Sequence, residues 1–300
     1  MWKLIFGVRA TQWCLAFCLI LIMFLGGCAT ADPQSVTKFK QGLSAVQTDS
    51  QTILLEFNRF IRDLQLDRAA TLSKLEESDV APGLDAESLG RWNAAVEAMS
   101  LYASALETLA APTGVAQVEE SLTSLGDRIM ALSPPKDSAS PKKDELNLAI
   151  GHIGKLVVEA TAKRKALEIA REVDSSVRAV LLQMADMIGS GQTTGGLRTT
   201  MWSNWTMRAD QFRGSFLKPG ADKRQVAAMY ASAIEGRQTS DVALSALRKA
   251  LLDLADLHTA VAQGRSADAS AIIAFLRQEV AYAKQLLESA QISKPKAGTQ

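Results

Sequence analysis

Few residues in this chain carry side chains able to do covalent or acid–base chemistry. Its 300 residues contain three cysteines and two histidines. Cys28 closes the run Leu25-Gly26-Gly27-Cys28-Ala29. A thiol reaches its thiolate form near neutral pH, so it is a natural nucleophile for a thioether, and the small residues before it let a processing enzyme approach the backbone. His152 and His258 lie far apart, in neither His-x-x-x-His nor Glu-x-x-His spacing, so the sequence points to no zinc or di-iron site and to no metal or other cofactor. Both are expected on a surface or between helices. A serine nucleophile lacks its Gly-x-Ser-x-Gly elbow. The glycine-rich stretch 189–196 lacks a Gly-Lys-Ser/Thr ending and follows a helical pattern, so it reads as a hinge and not a phosphate loop. Glu76-Glu77 and Glu119-Glu120 are adjacent pairs, which diverge by about 100° on a helix and do not converge on one ion. Lys163-Arg164-Lys165 reads as a solvated basic run. These patterns predict that the protein is not an enzyme.

What precedes Cys28 gives it meaning. Lys3 and Arg9 supply positive charge, and Trp13–Leu25 then run for 13 residues without a charge. That suits a signal-peptide apolar region and falls short of the ~20 residues of a membrane span. With Leu25-Gly26-Gly27-Cys28 at its end, the segment resembles the lipobox signal of bacterial lipoproteins. The resemblance covers residues 1–28 only. It implies removal of 1–27, thioether attachment of diacylglycerol to Cys28, and N-acylation with a further fatty acid such as palmitate. Two or three acyl chains, at ~0.8 kcal/mol per buried methylene, hold a protein at a bilayer where one does not. Ala29, where the family's inner-membrane retention signal typically has Asp, implies a place at the periplasmic face of the outer membrane. Cys14 and Cys18 would leave with the signal, so the mature chain would have no free thiol, and its formal charge would change from +1 to −1. A near-neutral chain has no global electrostatic reason to bind nucleic acid.

The rest of the sequence predicts an all-α fold: an elongated helical bundle with two long helices of about 45 residues and several shorter antiparallel ones. Aromatics are sparse at 6%, and 47% of residues are hydrophobic. An N-terminal region, 28–133, opens with a helix over 33–78, started by Asp32-Pro33 and ended near Ala81-Pro82-Gly83. Its seam is Val36, Phe39, Leu43, Val46, Ile53, Phe57, Phe60 and Leu64, with Ser50 the one polar gap, drifting to Leu72 and Leu75. Helices over 85–110 and 114–132 follow. A Pro/Ser linker spans 134–143. A C-terminal region, 144–291, opens with the second long helix over 144–189. Shorter helices follow near 197–217, 221–236, 239–263 and 266–291, with Thr239-Ser240-Asp241 and Ser266-Ala267-Asp268 as starts. Residues 292–300 read as a frayed tail.

One stripe stands out in an aromatic-poor chain. Trp202, Trp205, Ala209, Phe212 and Phe216 fall on one helical face, with Arg198, Arg208, Arg213 and Lys218 against Asp210. A basic aromatic helix is suited to an interfacial membrane contact or an apolar ligand, and a plain core stripe has the same spacing. The leading expectation is a lipid-anchored envelope protein acting by contact with other envelope proteins, as scaffold, adaptor or accessory subunit. The alternative is a helical binder of an apolar or lipid ligand using Trp202, Trp205, Phe212 and Phe216.

Overall fold

The computed structural model describes residues 33–72, 75–110, 115–132, 141–159, 166–193, 195–265 and parts of 270–282. Residues 1–32, which include the signal segment and Cys28, lie outside these, as do most of the 134–143 linker, Lys163-Arg164-Lys165 and the 292–300 tail. The described residues are all-α, with no strand. The helices are α1 (Pro33–Leu72), α2 (Ala86–Ala110), α3 (Val115–Ala131), α4 (Pro141–Val158), α5 (Ala166–Ile188), α6 (Gly196–Leu217) and α7 (Lys223–Ala262). A single 3-10 turn, Glu77–Asp79, follows α1.

The predicted seam buries α1. Val36, Phe39, Leu43, Val46, Ile53, Phe57 and Leu64 are all in the core. Leu54 and Ile61 join it while Phe60 is half-buried, because a straight helix drifts ~20° per heptad against a strict seven-residue repeat. Ser50, the polar gap, is itself buried and accepts a hydrogen bond from Trp92 Nε1 at 3.2 Å. A serine here gives the indole N–H of α2 a partner that an aliphatic residue would deny it. The seam does not extend to Leu72 and Leu75, which are exposed. After α1 the chain turns back onto it. The Asn58 side-chain amide clasps Leu84 through both its backbone groups, at 2.8 and 3.2 Å. Asp85 then caps α2, as expected, by accepting from Ser88 N–H at 2.6 Å.

Several helix boundaries differ from the sequence reading, and the first is the end of α1, which stops at Leu72 and gives way to a 3-10 turn where a helix to 78 was expected. The second long helix is not at 144–189: α4 ends at Val158 and α5 starts at Ala166. His152 faces Ser176 and Glu145 faces Gln183, so the two helices run antiparallel and the chain reverses between them. No Gly or Pro marks 160–165, and the apolar period happens to continue across them. The second long helix is α7, 40 residues, which fuses the segments expected at 221–236 and 239–263. Thr239 and Ser240 are buried inside it, and Asp241 pairs with Arg198 instead of capping a new helix. Of the helix expected over 266–291, only helical pieces within 270–282 are described. The linker's last residues belong to α4, whose first position is Pro141, where a missing N–H costs nothing.

Side chains from both sides of the Pro/Ser segment share one hydrophobic cluster. α1 runs antiparallel to α2, where Lys40 meets Glu107 and Ser50 meets Trp92, and to α7, where Phe39 meets His258 and Phe60 meets Gly236. α5 also runs antiparallel to α7, where Arg171 meets Ala262 and Arg178 meets Asp256. Along α7, every buried side chain lies at or after Thr239. The first 16 residues of α7 therefore leave the main bundle. They form an arm with α6 and the end of α1, since Asp67 pairs with Arg208 at 3.0 Å and Trp205 stacks on Tyr230.

Candidate functional site

The aromatic stripe sits in this arm. Pro219-Gly220, with Gly220 at φ 79°, reverses the chain after α6, and Asp222 caps α7 by accepting from Arg224 N–H at 3.0 Å and Gln225 N–H at 3.1 Å. That hairpin brings Tyr230 against the stripe. Trp205 and Tyr230 stack with ring centres 5.7 Å apart and 15° between planes, and Phe212 tilts onto the same ring at 5.4 Å. Arg237 lies 4.3 Å from the Trp202 ring centre and 5.4 Å from that of Trp205. Its buried Nε makes no hydrogen bond, as suits a guanidinium laid flat on indole faces. Arg208, itself buried, lies 3.9 Å over Phe212.

Trp205 and Phe212 are thus buried, Trp202 is half-buried, and Phe216 is 40% exposed. The stripe spends three of its four rings on holding α6 to α7. Tyr230 and Arg237 were not singled out in the sequence. The signal for them was the Pro219-Gly220 hairpin, which obliges whatever lies at matching distance beyond the turn to face the stripe. Replacing Tyr230 with Ala removes two ring contacts, each worth about 0.5–1.5 kcal/mol beyond area. We expect amide exchange to accelerate over 200–237 while α5 and the second half of α7 keep their protection, as measured by hydrogen-exchange mass spectrometry.

The other candidates are also used internally. His258, expected at a surface or helix interface, is fully buried at the meeting of four helices. Its Nε2 is 2.8 Å from the Tyr102 hydroxyl of α2, and its Nδ1 is 2.8 Å from Asp174 Oδ1 of α5. Phe39 of α1 covers the ring at 5.1 Å between centres, and Thr259 also donates to Asp174 at 3.2 Å. Burial above all holds His258 below its ordinary pKa, and the Asp174 carboxylate offsets only part of this. The His258 hydrogen bond, first among its causes, holds Asp174 low. Burial, then the Asp174 charge, pushes Tyr102 well above its ordinary range. A neutral imidazole therefore donates Nδ1–H to an ionised Asp174 and accepts the Tyr102 proton at Nε2. The order hydroxyl, imidazole, carboxylate matches a hydrolase triad, but the hydroxyl is a phenol with no exposed surface, so it meets no substrate.

His152 is exposed and bonded to Ser176 at 2.9 Å. Glu76, Glu77 and Glu120 are exposed. Among the described residues, no group of three or more His, Cys, Asp or Glu side chains is placed to hold a metal ion, and no helix is long and apolar enough to cross a membrane. The 189–196 glycines make a pinned turn and not a free hinge. Gly189, Gly195 and Gly196 have φ of 82°, 84° and 81°, and a Cβ on Gly189 would strike the Gly195 carbonyl. Arg198 ties the turn down through the Ser190 carbonyl at 2.7 Å and Asp241 at 2.8 and 3.2 Å.

Two open clefts are lined elsewhere, one by Glu120, Thr123, Ser124, Asp127 and Arg128 of α3. The other runs between α1 and the 270–277 segment, with Asp49 and Arg277 among its walls. Compared with known proteins, the chain matches no family model, no curated protein and no solved structure.

Proposed function

We propose that the chain is a lipid-anchored protein of the bacterial envelope, held by an acylated Cys28 at the periplasmic face of the outer membrane. It acts by contact with other envelope proteins and not by catalysis. The observation that carries this reading is the place of Cys28: it ends a lipobox-like run and lies five residues before Pro33, the first residue of α1. At about 1.5 Å per residue, α1 then spans about 60 Å from the anchored end, and the other helices pack back along it. Tethering confines the bundle's surface to the plane where its partners diffuse, which raises their effective concentration. The closed chemistry of the core favours a contact role: the imidazole, phenol and carboxylate best suited to catalysis bond to one another. The aromatic stripe fits this reading better than ligand binding, because Tyr230 and Arg237 occupy the faces a ligand would use.

Crosslinking in intact cells tests the reading. The expected result is a defined set of envelope proteins joined to the chain and lost when Cys28→Ser prevents anchoring. A chain that stays a solitary monomer under every condition contradicts it.

A further inference from the structure

The free end of the arm carries a surface that its internal packing does not use. At the turn joining α6 to α7, Leu217 is 78% exposed, more than any other large apolar side chain among the described residues. Phe216 beside it is 40% exposed, and Met229, one and a half turns into α7, is 44% exposed. Three exposed cations surround them: Lys218, Lys223 and Arg224. Lys223 Nζ lies 5.5 Å above the Phe216 ring, so the charge and the ring occupy one patch.

The acids nearby are engaged. Asp210 pairs with Arg213 at 2.7 Å, Asp67 pairs with Arg208 at 3.0 Å, and Asp222 caps α7. Asp222 keeps its charge as a cap, but Lys218, Lys223 and Arg224 outnumber it, so the turn is left with net positive charge around an apolar apex. We infer that this turn is a membrane contact for an anionic phospholipid leaflet. Phe216 and Leu217 seat at the boundary between headgroups and acyl chains, and Lys218, Lys223 and Arg224 reach the headgroup phosphates.

Shape selects a lipid surface over a folded acidic partner. A stable protein interface buries about 800 Å² per side around anchors that enter pockets. A convex two-residue apex on a tight turn offers too little flat area for that, but it suits a fluid surface that closes around it. Long cationic stems keep their aliphatic length with the apolar apex while the charge stays in the headgroups. Each cation near an anionic leaflet adds an attraction that salt screens. The inference stands on the turn alone and needs no acyl group at Cys28, which precedes the opposite end of α1.

A photocrosslinking amino acid tests it. The full chain carries p-benzoylphenylalanine in place of Leu217 and is reconstituted with vesicles of phosphatidylcholine alone, or of phosphatidylcholine containing phosphatidylglycerol. Any Cys28 anchor acts equally in both. The expected result is a phospholipid adduct whose yield is at least about tenfold higher with phosphatidylglycerol, as three basic contacts warrant. High salt reduces that yield, and the combined change Lys218→Glu, Lys223→Glu and Arg224→Glu abolishes it. Lys223→Glu and Arg224→Glu lie in the first turn of α7, where a Glu favours the helix, while Lys218→Glu lies at the C-cap of α6, where it does not. An unchanged circular dichroism spectrum of the variant therefore shows that the loss does not come from unfolding. The same label at exposed Leu148 on α4 gives no such dependence. Equal yields from the two vesicles overturn the inference, as does an adduct to protein, whether a second copy of this chain or an acidic partner.

Discussion

Replacing His258 with alanine lowers the unfolding free energy by about 3–5 kcal/mol, read as a shift in the urea midpoint at neutral pH. The ring has no exposed surface, so its removal leaves a cavity among α1, α2, α5 and α7. It also strips the buried Tyr102 hydroxyl of its partner, and an unpaired buried polar group costs about 1–3 kcal/mol. Tyr102→Phe, which orphans only one nitrogen, costs the smaller amount alone. The network also sets a pH profile. In the folded state His258 resists a proton that the unfolded chain accepts near the ordinary value of 6.5. Below that pH the unfolded state therefore binds more protons, and stability falls with acidification. Asp174 continues the decline, because it stays ionised when folded while its unfolded counterpart protonates near 3.8. Tyr102 acts at the other limit: above 10.0 the unfolded phenol loses a proton that the folded one keeps, and stability falls again. Equilibrium unfolding between pH 4 and pH 8 in the native chain and in His258→Ala measures this. The native slope below 6.5 is expected to flatten in the variant, and identical slopes would show that His258 does not set it.

Gly126→Val is expected to destabilise by about 3 kcal/mol, although it removes a helix-weakening glycine. At Gly126 a Cβ would lie 2.8 Å from Val158 N and 2.9 Å from Gly154 O, both backbone atoms of α4. Across the crossing, a Cβ on Gly154 would meet Gly126 O at 3.1 Å. Backbone cannot rotate away as a side chain can, so α3 and α4 must separate. The sign decides the matter. Gly→Ala within an open helix gains up to about 1 kcal/mol, which is the expectation for Gly90 and Gly214, where nothing lies within 4 Å. Thermal unfolding of Gly126→Val beside Gly90→Ala is expected to move in opposite directions. A stabilised Gly126→Val would mean that the two helices do not touch at these glycines.

Helical character was legible because the apolar residues recur at helical spacing, and the α1 seam could be named nearly residue by residue. The boundaries that failed did so for different reasons. Between α4 and α5 the chain reverses, and the sequence there offers no Gly or Pro to mark it, while Thr239-Ser240-Asp241 looks like a cap but is held in mid-helix by burial and by Arg198. At Thr239–Asp241 a local signal lost to tertiary partners. The stripe Trp202, Trp205, Phe212 was visible, but not what fills it, since Tyr230 and Arg237 belong to the next helix. Ser50 read as a flaw in the seam because its partner, Trp92 Nε1, is 42 residues away. For His258 the sequence allowed a place between helices but not its network, since its partners Phe39, Tyr102 and Asp174 come from three other helices.

The anchor is the claim on which the functional reading depends, and the mass of the mature N-terminus isolated from cells tests it most directly. The expected result is a chain that begins at Cys28 and carries a diacylglycerol thioether, together with a Cys28→Ser variant that is neither cleaved nor acylated. A chain processed at that site without an acyl group would contradict it, as would a Cys28→Ser variant that still reaches the envelope at the processed mass.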